Sequence, residues 1–453
     1  QRRQQACRVF VVNPLLVTLT VTRCGKLPDP IEQEGAAHRA FGAARRAGHI
    51  DRPQLLATLD QHVDGSAPPL VLHGEPGSDL TPLVSRWAEA RQDAHPDEPI
   101  VVHHVGATSD AADWRSLAAR LIAALDPDTD VAALPDDPAG RRAALFSAIE
   151  RAGRRPTRTV VVVDGCELLL DVDGAPDLTW LPLQVPPSVC IALTTADRRT
   201  VDEASRRGWT VRDVPPLDDA ERRTFIATFL GRWSKGLDPV HVDRLAAAPQ
   251  TGNPLFLRTV LDELRQWGDH FTLGEVIARS LAAPTVDDLL EQVLARYEQD
   301  FEQDRPGLVG DAMRALWAAR RGLSEPELLE LLGSPGQPVP HAIWSPLVLA
   351  AEDGLVTRSG VLGLATPLHR KAVEDRYLPT EDDRRAAATT VAAYFSTQPL
   401  GPRVVEELPW AQLAAGDVDG LVRTISDLAY LDVAYPIAQQ DLRRQWARAA
   451  EAG

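Results

Sequence analysis

Residues 70–81, LVLHGEPGSDLT, combine an apolar run with a glycine-containing turn of the kind that binds phosphate. Aligned with G-x-x-x-x-G-K-[ST], the turn supplies Gly74 at the first position and Thr81 at the last, where a hydroxyl would face a magnesium ion. Asp79 replaces the second glycine and Leu80 replaces the lysine. The chain therefore keeps the frame of a phosphate-binding loop but lacks its cation.

A second set of residues suited to nucleotide chemistry follows the apolar run at 159–163. Asp164 ends this run, and Glu167 lies three residues further on. Ligands of open α/β sheets bind beyond the carboxyl ends of the strands, so Asp164 is placed to hold a magnesium ion and Glu167 to orient an attacking water. An Asp-Gly pair after a strand is also an ordinary turn, and only its combination with the Gly74 loop favours the nucleotide interpretation.

The composition limits the kinds of partner that the chain can bind. Its 453 residues, enough for roughly two to four domains, carry 48 Lys plus Arg against 64 Asp plus Glu, a net charge of −16. Such a surface repels nucleic acid and anionic membranes, so neither is an expected partner. The four cysteines are widely spaced without a C-x-x-C pair, which argues against a disulfide framework or a zinc site and favours a reducing, cytoplasmic location.

Residues 1–35 are interpreted as an N-terminal leader or linker. An apolar run at 9–21 resembles a signal-peptide core, but Asn13 and Pro14 interrupt it and no small-residue cleavage site follows. A buried strand or a leader segment is therefore favoured. The run is too short to span a bilayer, and no apolar run of membrane-spanning length occurs elsewhere in the sequence.

Between 69 and 214, short apolar runs alternate with amphipathic segments, which predicts an α/β domain with a five-stranded parallel sheet and crossover helices. Strands rich in β-branched residues suit a sheet that is covered on both faces. The predicted strands are 70–73, 100–105, 159–163, 189–194 and 210–214. The predicted helices lie near 82–91, 114–125 and 140–152, with an acidic, proline-containing loop at 127–138.

Beyond Pro216 the periodicity becomes purely helical, which marks a predicted domain boundary. Asp218 and Glu221 have the spacing of a capping box that opens a helix. The predicted apolar face of this helix consists of Phe225, Ile226, Phe229, Leu230 and Trp233. The apolar spacing from 286 to 301 gives the clearest helix in the chain.

From 307 onwards the pattern changes to three helices and a hairpin. A capping box at Ser324 and Glu327 opens a leucine-rich helix, and residues 355–364 form the hairpin. This is a winged-helix plan, but the local charge is mixed and disfavours DNA binding. Alanine- and leucine-rich helices after Pro379 are typical of the start of a helical repeat array.

In this order the elements resemble a known family over most of the chain. The sequence is similar to the NACHT-like branch of the STAND P-loop NTPases, signal-transduction ATPases with numerous domains, and within it to nephrocystin-type NTPase modules followed by tetratricopeptide repeats. The residues that carry the resemblance are 38–41, 50–52, 68–71 with the glycine loop, 102–108, 113–114, 178–182, 252–258, 322–325, 369, 372–373 and 376–377. The resemblance implies a P-loop NTPase-like domain at 36–215, a helical lid at 216–306, a winged-helix domain at 307–378 and the start of a helical repeat array at 379–453.

The resemblance also implies roles for individual residues around the base and the diphosphate. Ile50 and Arg52 would lie beside the adenine, and Pro254 would be the lid proline that packs on it. His369 would hold the diphosphate of the closed state. The tandem histidines at 103–104 fall within a matching stretch, but successive strand residues face opposite sides, which disfavours a joint ligand role.

The phosphates and the metal ion have their own expected residues. Gly74, Gly77 and Ser78 would form the loop around the phosphates. Thr81 and Asp164, the latter in the place of the Walker B acid, would hold the metal. The implied ligand is thus ATP or ADP with Mg²⁺, bound weakly if the loop has lost its affinity for phosphate.

The departures from the family pattern all make the site less attractive to phosphate. Lysine is usual at Leu80, glycine at Asp79, and an arginine commonly follows the fourth strand, where Ala196 stands. Losing a charge-assisted contact forfeits about 1.5–3 kcal/mol, and a carboxylate near a phosphate adds a few kcal/mol of repulsion. A combined loss on the order of 5 kcal/mol lowers the affinity more than a thousandfold.

The sequence therefore predicts a degenerate nucleotide switch, acting as a regulatory or assembly module of a signalling protein with little or no ATP hydrolysis. One alternative is a working ATPase in which Arg198 or Arg199 replaces the lysine, and another is a scaffold that never binds nucleotide. Protein partners are expected on the C-terminal helices, and a homo-oligomer is left open. We also expect His369 to pair with a carboxylate such as Asp79, the alternative being a histidine that caps its own helix.

Overall fold

The computed structural model describes residues 12–13, 16–17, 30–46 and 52–452, apart from single positions at 66, 109, 270, 335, 353 and 359. Two short strands, β1 (Val12–Asn13) and β2 (Leu16–Val17), pair antiparallel within the apolar run near the start of the chain. The rest of that run lies outside the described residues, as does Ile50, the residue expected beside the adenine.

A five-stranded parallel sheet forms the centre of the N-terminal half. Its strands are β3 (Leu70–His73), β4 (Ile100–His104), β5 (Thr159–Asp164), β6 (Val189–Thr195) and β7 (Thr210–Asp213). They lie in the order β4-β5-β6-β3-β7, so β3 sits between β6 and β7. The predicted parallel sheet is confirmed, and every predicted strand is present to within one residue at each end.

Helices cover both faces of this sheet. They are α1 (Pro30–Arg46), α2 (Pro53–Asp64), α3 (Leu80–Ala94), α4 (Trp114–Leu125), α5 (Pro138–Gly153) and α6 (Arg198–Arg206). Leu70 and Leu72 share one apolar core with α2 and α3, whereas Val71 points into a second core with α4 and α5. Alternate side chains of β3 therefore enter the separate apolar cores on the two faces of the sheet.

A helical region follows the sheet. It contains α7 (Asp219–Gly231), α8 (Pro239–Ala247), α9 (Pro254–Gln266), α10 (Leu273–Ser280) and α11 (Val286–Phe301). The capping box of Asp218 and Glu221 is present as predicted. The place given to Trp233 was wrong: α7 ends at Gly231, and the Trp233 side chain is 48% exposed and lies against the guanidinium of Arg265.

Three helices and a hairpin come next, as the sequence pattern predicts, and a fourth helix follows the hairpin. They are α12 (Leu308–Ala318), α13 (Glu325–Leu332), α14 (His341–Ala350), β8 (Leu355–Arg358), β9 (Val361–Leu364) and α15 (Pro367–Tyr377). A bridge between Leu323 and Leu362 adds a third extended segment to the hairpin. The C-terminal helices are α16 (Glu381–Ser396), α17 (Pro402–Ala415), α18 (Val418–Ser426) and α19 (Leu428–Ala452).

One apolar core joins most of the helical half of the chain. It extends from Leu217 to Ala411 and includes buried residues of the helices on either side of the predicted boundaries at 306 and 378. The helical region after the sheet and the hairpin-containing region therefore pack against each other continuously. Within the described residues, no helix combines the length and the apolar character needed to cross a membrane.

Candidate functional site

The loop between β3 and α3 is shaped by a tight turn. The Ser78 N–H donates to the Glu75 carbonyl at 3.0 Å, and Gly77 has a φ of 87°, which is the left-handed geometry of a type II turn with Pro76 before it. The Gly74 N–H donates to the Thr195 carbonyl at 3.2 Å, which fastens the loop to the end of β6. The loop frame that the motif predicts is present.

The inside of this loop is filled by its own side chains. A Cβ added to Gly74 would lie 2.3 Å from Ser78 Oγ and 3.2 Å from Leu80 Cδ1, so a larger residue there would displace the Ser78 side chain. Leu80 is half-buried and packs against the core that contains Leu72 and Val84. Position 80 therefore adds an apolar contact where a phosphate-binding loop would carry a cation.

Asp79 has a partner that the sequence patterns did not predict. Its carboxylate Oδ2 lies 3.4 Å from Nη2 of Arg258, on the first turns of α9. The expected partner, His369, forms a 2.7 Å hydrogen bond to the hydroxyl of Thr366, the residue that caps its own helix α15. The alternative, an exposed histidine capping its own helix, is right about the helix that His369 contacts, but Thr366 is the cap and His369 is not exposed. Arg258 lies within the 252–258 stretch of the resemblance, but nothing in a single sequence linked it to Asp79.

His369 is nonetheless close to two cations that approach from other elements. Burial, followed by the positive charges of Arg45 and Arg258, lowers the pKa of His369 to about 4. Arg45 reaches from α1 and donates to the carbonyl of Ala365, just before α15. Cations from α1 and α9 therefore converge on His369 of α15, and one of them, Arg258, also contacts the loop.

Asp164 is enclosed at the carboxyl end of β5, 2% exposed. Its Oδ1 accepts from the Thr194 hydroxyl at 2.7 Å, and its Oδ2 lies 2.8 Å from Nδ1 of His104. Burial alone would raise the pKa of Asp164, but hydrogen bonds from His104, Thr194 and Thr81 outweigh burial, and the pKa lies below its usual value. The contact with Thr81 brings together the two residues expected to hold the metal.

His104 is a site residue that the sequence patterns missed. The doubt about a joint role with His103 was justified, because His103 Nε2 faces the carbonyl of Ala111 while His104 faces Asp164. The His104 backbone N–H donates to Nδ1 of His38 at 2.9 Å, and its ring Nε2 lies 3.4 Å from the Ser85 hydroxyl. Alternation along β4 identified which histidine faces which way, but only the fold shows what each one meets.

Ser85, His104 and Asp164 have the connectivity of a Ser-His-Asp catalytic triad. All three residues are buried, with exposures of 4%, 2% and 2%. A nucleophile needs access to its substrate, and the Ser85–His104 distance is at the long end for a hydrogen bond. The three residues therefore form a buried hydrogen-bonded network that orients the Asp164 carboxylate.

Glu167 lies at the open side of the same edge. Its Oε2 accepts from the backbone N–H of Ala196 at 3.1 Å, directly after β6. Desolvation raises the pKa of Glu167, although the residue keeps contact with solvent. Arg199, one proposed substitute for the lysine, is instead paired with Asp171 at 2.7 Å and Asp177 at 2.6 Å.

Two residues expected near the base border the helical region. Pro254 is buried at the first position of α9, and Asn253 caps that helix by accepting from Leu255 and Phe256. Arg52 is also buried, and it donates to the Pro215 carbonyl at 2.9 Å and to Glu221 at 3.1 Å. Its Nη1 is buried and has no hydrogen-bond partner among the described residues. A buried unpaired donor is a group that a ligand acceptor would satisfy.

A magnesium ion fits this edge in part. Thr81 lies near enough to Asp164 to help lower the pKa of that carboxyl, which places the two residues where the ligands of a P-loop metal would be. The described residues contain no cluster of three or more His, Cys, Asp or Glu side chains able to hold a metal by themselves. A bound ion would thus need phosphate oxygens and waters for most of its ligands.

The buried histidines predict a fall in stability with acid. Burial is the main cause that lowers the pKa of His38, to about 2, and that holds the pKa of His103 well below its usual value. The folded state therefore binds these protons less readily than the unfolded chain, and the stability present above pH 6.5 is lost as the pH falls. We expect the free energy of unfolding to drop by up to about 2.7 kcal/mol per pH unit below pH 6 from these two residues.

Urea unfolding at pH 7.5, 6.5 and 5.5 measures this loss. His103→Gln should reduce the slope of the free energy of unfolding against pH by up to the contribution of one proton. The matched control His95→Gln, at an exposed position, should leave that slope unchanged. A free energy of unfolding that stays constant from pH 7.5 to 5.5 would contradict the assignment of neutral, buried histidines.

Several curated proteins are similar in sequence to this chain. A TPR repeat-containing protein of Dictyostelium discoideum is 25% identical over 420 residues, which cover 84% of this chain and 25% of that protein. Human NACHT domain- and WD repeat-containing protein 1 is 30% identical over 305 residues, covering 62% of this chain and 18% of that protein. Human nephrocystin-3 is 23% identical over 323 residues, covering 67% and 23%. The chain is thus similar in sequence to a NACHT domain-containing protein and to nephrocystin-3 over about two thirds of its length.

The chain spans about a quarter of the length of the Dictyostelium protein and less of the two human ones. No family model matches the chain. Among solved structures, a Walker-type ATPase of Pyrococcus abyssi aligns with a TM-score of 0.40 and 13% identity, over 72% of this chain and 96% of that one. The strand order β4-β5-β6-β3-β7 of the parallel sheet, and the helices that follow the sheet, agree with the P-loop NTPase fold that the resemblance implies.

Proposed function

We propose that this P-loop module is a regulatory or assembly element of a signalling protein that binds ATP or ADP weakly and hydrolyses ATP little or not at all. The observation that carries the proposal is the state of the loop. Leu80 packs into the apolar core where the motif has a lysine, and the carboxylate at Asp79 is paired with Arg258. The charges that would hold a triphosphate are absent or already used.

The residues that would surround an attacking water support the same proposal. Phosphoryl transfer depends on positioned positive charge around the transferred group. Ala196 offers only its backbone N–H, which donates to the Glu167 carboxylate. Arg199 is already paired with two carboxylates. Thr81 and Asp164 would hold magnesium, which would supply charge neutralisation at the phosphates. A working ATPase that used Arg199 as its cation would therefore have to break both of these ion pairs.

ATP hydrolysis by the purified protein is expected to be indistinguishable from a buffer control. The physical reason is the missing cations at positions 80 and 196. Phosphate release in the presence of Mg²⁺ and ATP measures this, with Asp164→Asn as the comparison. Release above the control that disappears in Asp164→Asn would establish the rival reading, an active ATPase.

The second rival, a scaffold that never binds nucleotide, is distinguished by stability. The buried, unpaired Nη1 of Arg52 favours a residual ligand site over a scaffold. A site with a dissociation constant of about 1 mM is stabilised by about 1.4 kcal/mol at 10 mM nucleotide. A rise in melting temperature with 10 mM ADP, absent with 10 mM inorganic phosphate, supports weak nucleotide binding. No rise with ADP supports the scaffold.

The C-terminal helices are the proposed surface for protein partners. Exposed apolar side chains are concentrated on α17, α18 and α19. They are Trp410, Val422, Leu428, Tyr435, Ile437 and Trp446. Tetratricopeptide repeat-containing relatives favour a protein-binding role, and the net charge of −16 disfavours nucleic acid and anionic membranes. A cytoplasmic location and a homo-oligomer belong to the same proposal.

A further inference from the structure

The loop and the helix α9 are joined by backbone and side-chain contacts. Asn253 Nδ2 donates to the Pro76 carbonyl at 2.9 Å, and the Leu255 N–H donates to the Gly77 carbonyl at 3.1 Å. A Cβ on Gly77 would lie 2.7 Å from Asn253 Oδ1, so the two segments are in direct contact. The N-terminus of α9 therefore rests on the loop itself.

The Asp79–Arg258 pair reinforces this contact at a cost in backbone strain. Asp79 has a φ of 64°, a left-handed conformation that glycine adopts freely and that aspartate tolerates less well. Glycine is also the residue that the motif expects at this position. The side chains of Asp79 and Arg258 are 15% and 17% exposed, so their attraction is less screened than that of a surface pair.

The other end of α9 is tied to the hairpin-containing region. Arg265 donates to Glu352 at 3.0 Å, and Gln266 donates to the Ala350 carbonyl at 3.1 Å at the end of α14. Helix α9 thus contacts the loop between β3 and α3 at its N-terminus and the end of α14 at its C-terminus. A contact that fixes its N-terminus fixes the distance between the sheet and the helical half.

We propose that Asp79 is a built-in anion that takes the part of a nucleotide phosphate, holding Arg258 and thereby keeping α9 closed on the loop without ligand. In a site that depends on nucleotide, closure follows ligand binding because the ligand bridges the two sides. Here the bridge is covalently part of the chain. The inference rests on the proposed function, since it names how that site is regulated.

Hydrogen exchange of the α9 N-terminus, measured without nucleotide, tests the tie. Asp79→Asn removes the charge but keeps a residue that tolerates the left-handed conformation, and Arg258→Met removes the guanidinium but keeps the apolar stem. We expect exchange of the amides at 253–257 to become at least tenfold faster in each variant. The double variant should match the single ones because both changes break one contact.

Arg223→Met is the matched control. Arg223 pairs with Asp219 and Asp243 on the exposed face of the same helical region, so its loss should leave exchange at 253–257 unchanged. Wild-type exchange rates in Asp79→Asn would overturn the proposal that the Asp79–Arg258 pair keeps α9 closed on the loop, whether or not the variant binds nucleotide. The proposed weak nucleotide binding is measured separately, so the two ideas fail independently.

Inorganic phosphate tests whether the Asp79 carboxylate takes the place of a ligand phosphate. If Asp79 stands in for a phosphate, 20 mM phosphate should restore slow exchange in Asp79→Asn, in which Arg258 no longer faces a carboxylate at position 79, and have no effect in Arg258→Met. Equal protection of the wild-type protein and Asp79→Asn by phosphate, or none in Asp79→Asn, would overturn that part. If Arg258→Met does not fold, the comparison of wild type with Asp79→Asn still decides both parts.

Discussion

ATP affinity is expected to rise at least a hundredfold when Asp79 is replaced by glycine and Leu80 by lysine. A hundredfold corresponds to about 2.7 kcal/mol, which lies within the about 1.5–3 kcal/mol of a single charge-assisted contact. The glycine also removes the strain of a φ of 64°. The loop frame needed for this gain is present, because Gly74, Gly77 and Thr81 already have their places in it.

Titration calorimetry with ATP and Mg²⁺ measures this gain. Leu80→Met is the matched control, because it changes the shape of the side chain without adding charge and should leave the affinity unaltered. A folded double variant with no gain would mean that Ser78 over Gly74, and Asn253 over Gly77, close the loop to phosphate whatever its charge. The interpretation of an intact frame would then be wrong.

His104→Ala is expected to destabilise the protein by about 3 kcal/mol or more. The substitution leaves the buried carboxylate of Asp164 without the partner at Oδ2 and opens a cavity between α1 and β4, and both effects are costly. Ser85→Ala should cost less than about 1 kcal/mol, because its contact with His104 is 3.4 Å long.

Urea unfolding at pH 7.5 compares these variants. Adding Asp164→Ala to His104→Ala should cost less than the sum of the two single changes, since the pair is then removed as a whole. Additive losses, or a loss below about 1 kcal/mol in His104→Ala, would show that the hydrogen bond to Asp164 contributes little.

The elements of the sheet were predictable because their patterns are local. A run such as 159–163 is β-branched, bounded and followed by a carboxylate, and these features alone place Asp164 at the carboxyl edge of a parallel sheet. The same holds for the capping box of Asp218 and Glu221, which is set by three residues of spacing. Trp233 was misplaced because apolar periodicity does not reveal that α7 stops at Gly231.

The partners of the site residues were not predictable from these patterns. Arg258 and Asp79 are separated by 179 positions, and His104 and Asp164 by 60. Arg258 meets Asp79 because of how the helical half docks on the sheet, whereas His104 meets Asp164 because β4 and β5 are neighbours and place the two residues in register. A single chain gives no periodic signal for that docking. The residues of the motif were thus identified, while the contacts that decide their chemistry were not.

Titration of ATP and ADP, each with Mg²⁺, into the wild-type protein tests the central claim most directly. The claim is that Leu80 and the Asp79–Arg258 pair leave no strong site for phosphate. A micromolar site weakened more than a thousandfold has a dissociation constant of about 1 mM or more, so no saturable heat is expected in the micromolar range. A saturable isotherm with a low-micromolar dissociation constant for either nucleotide would contradict the account.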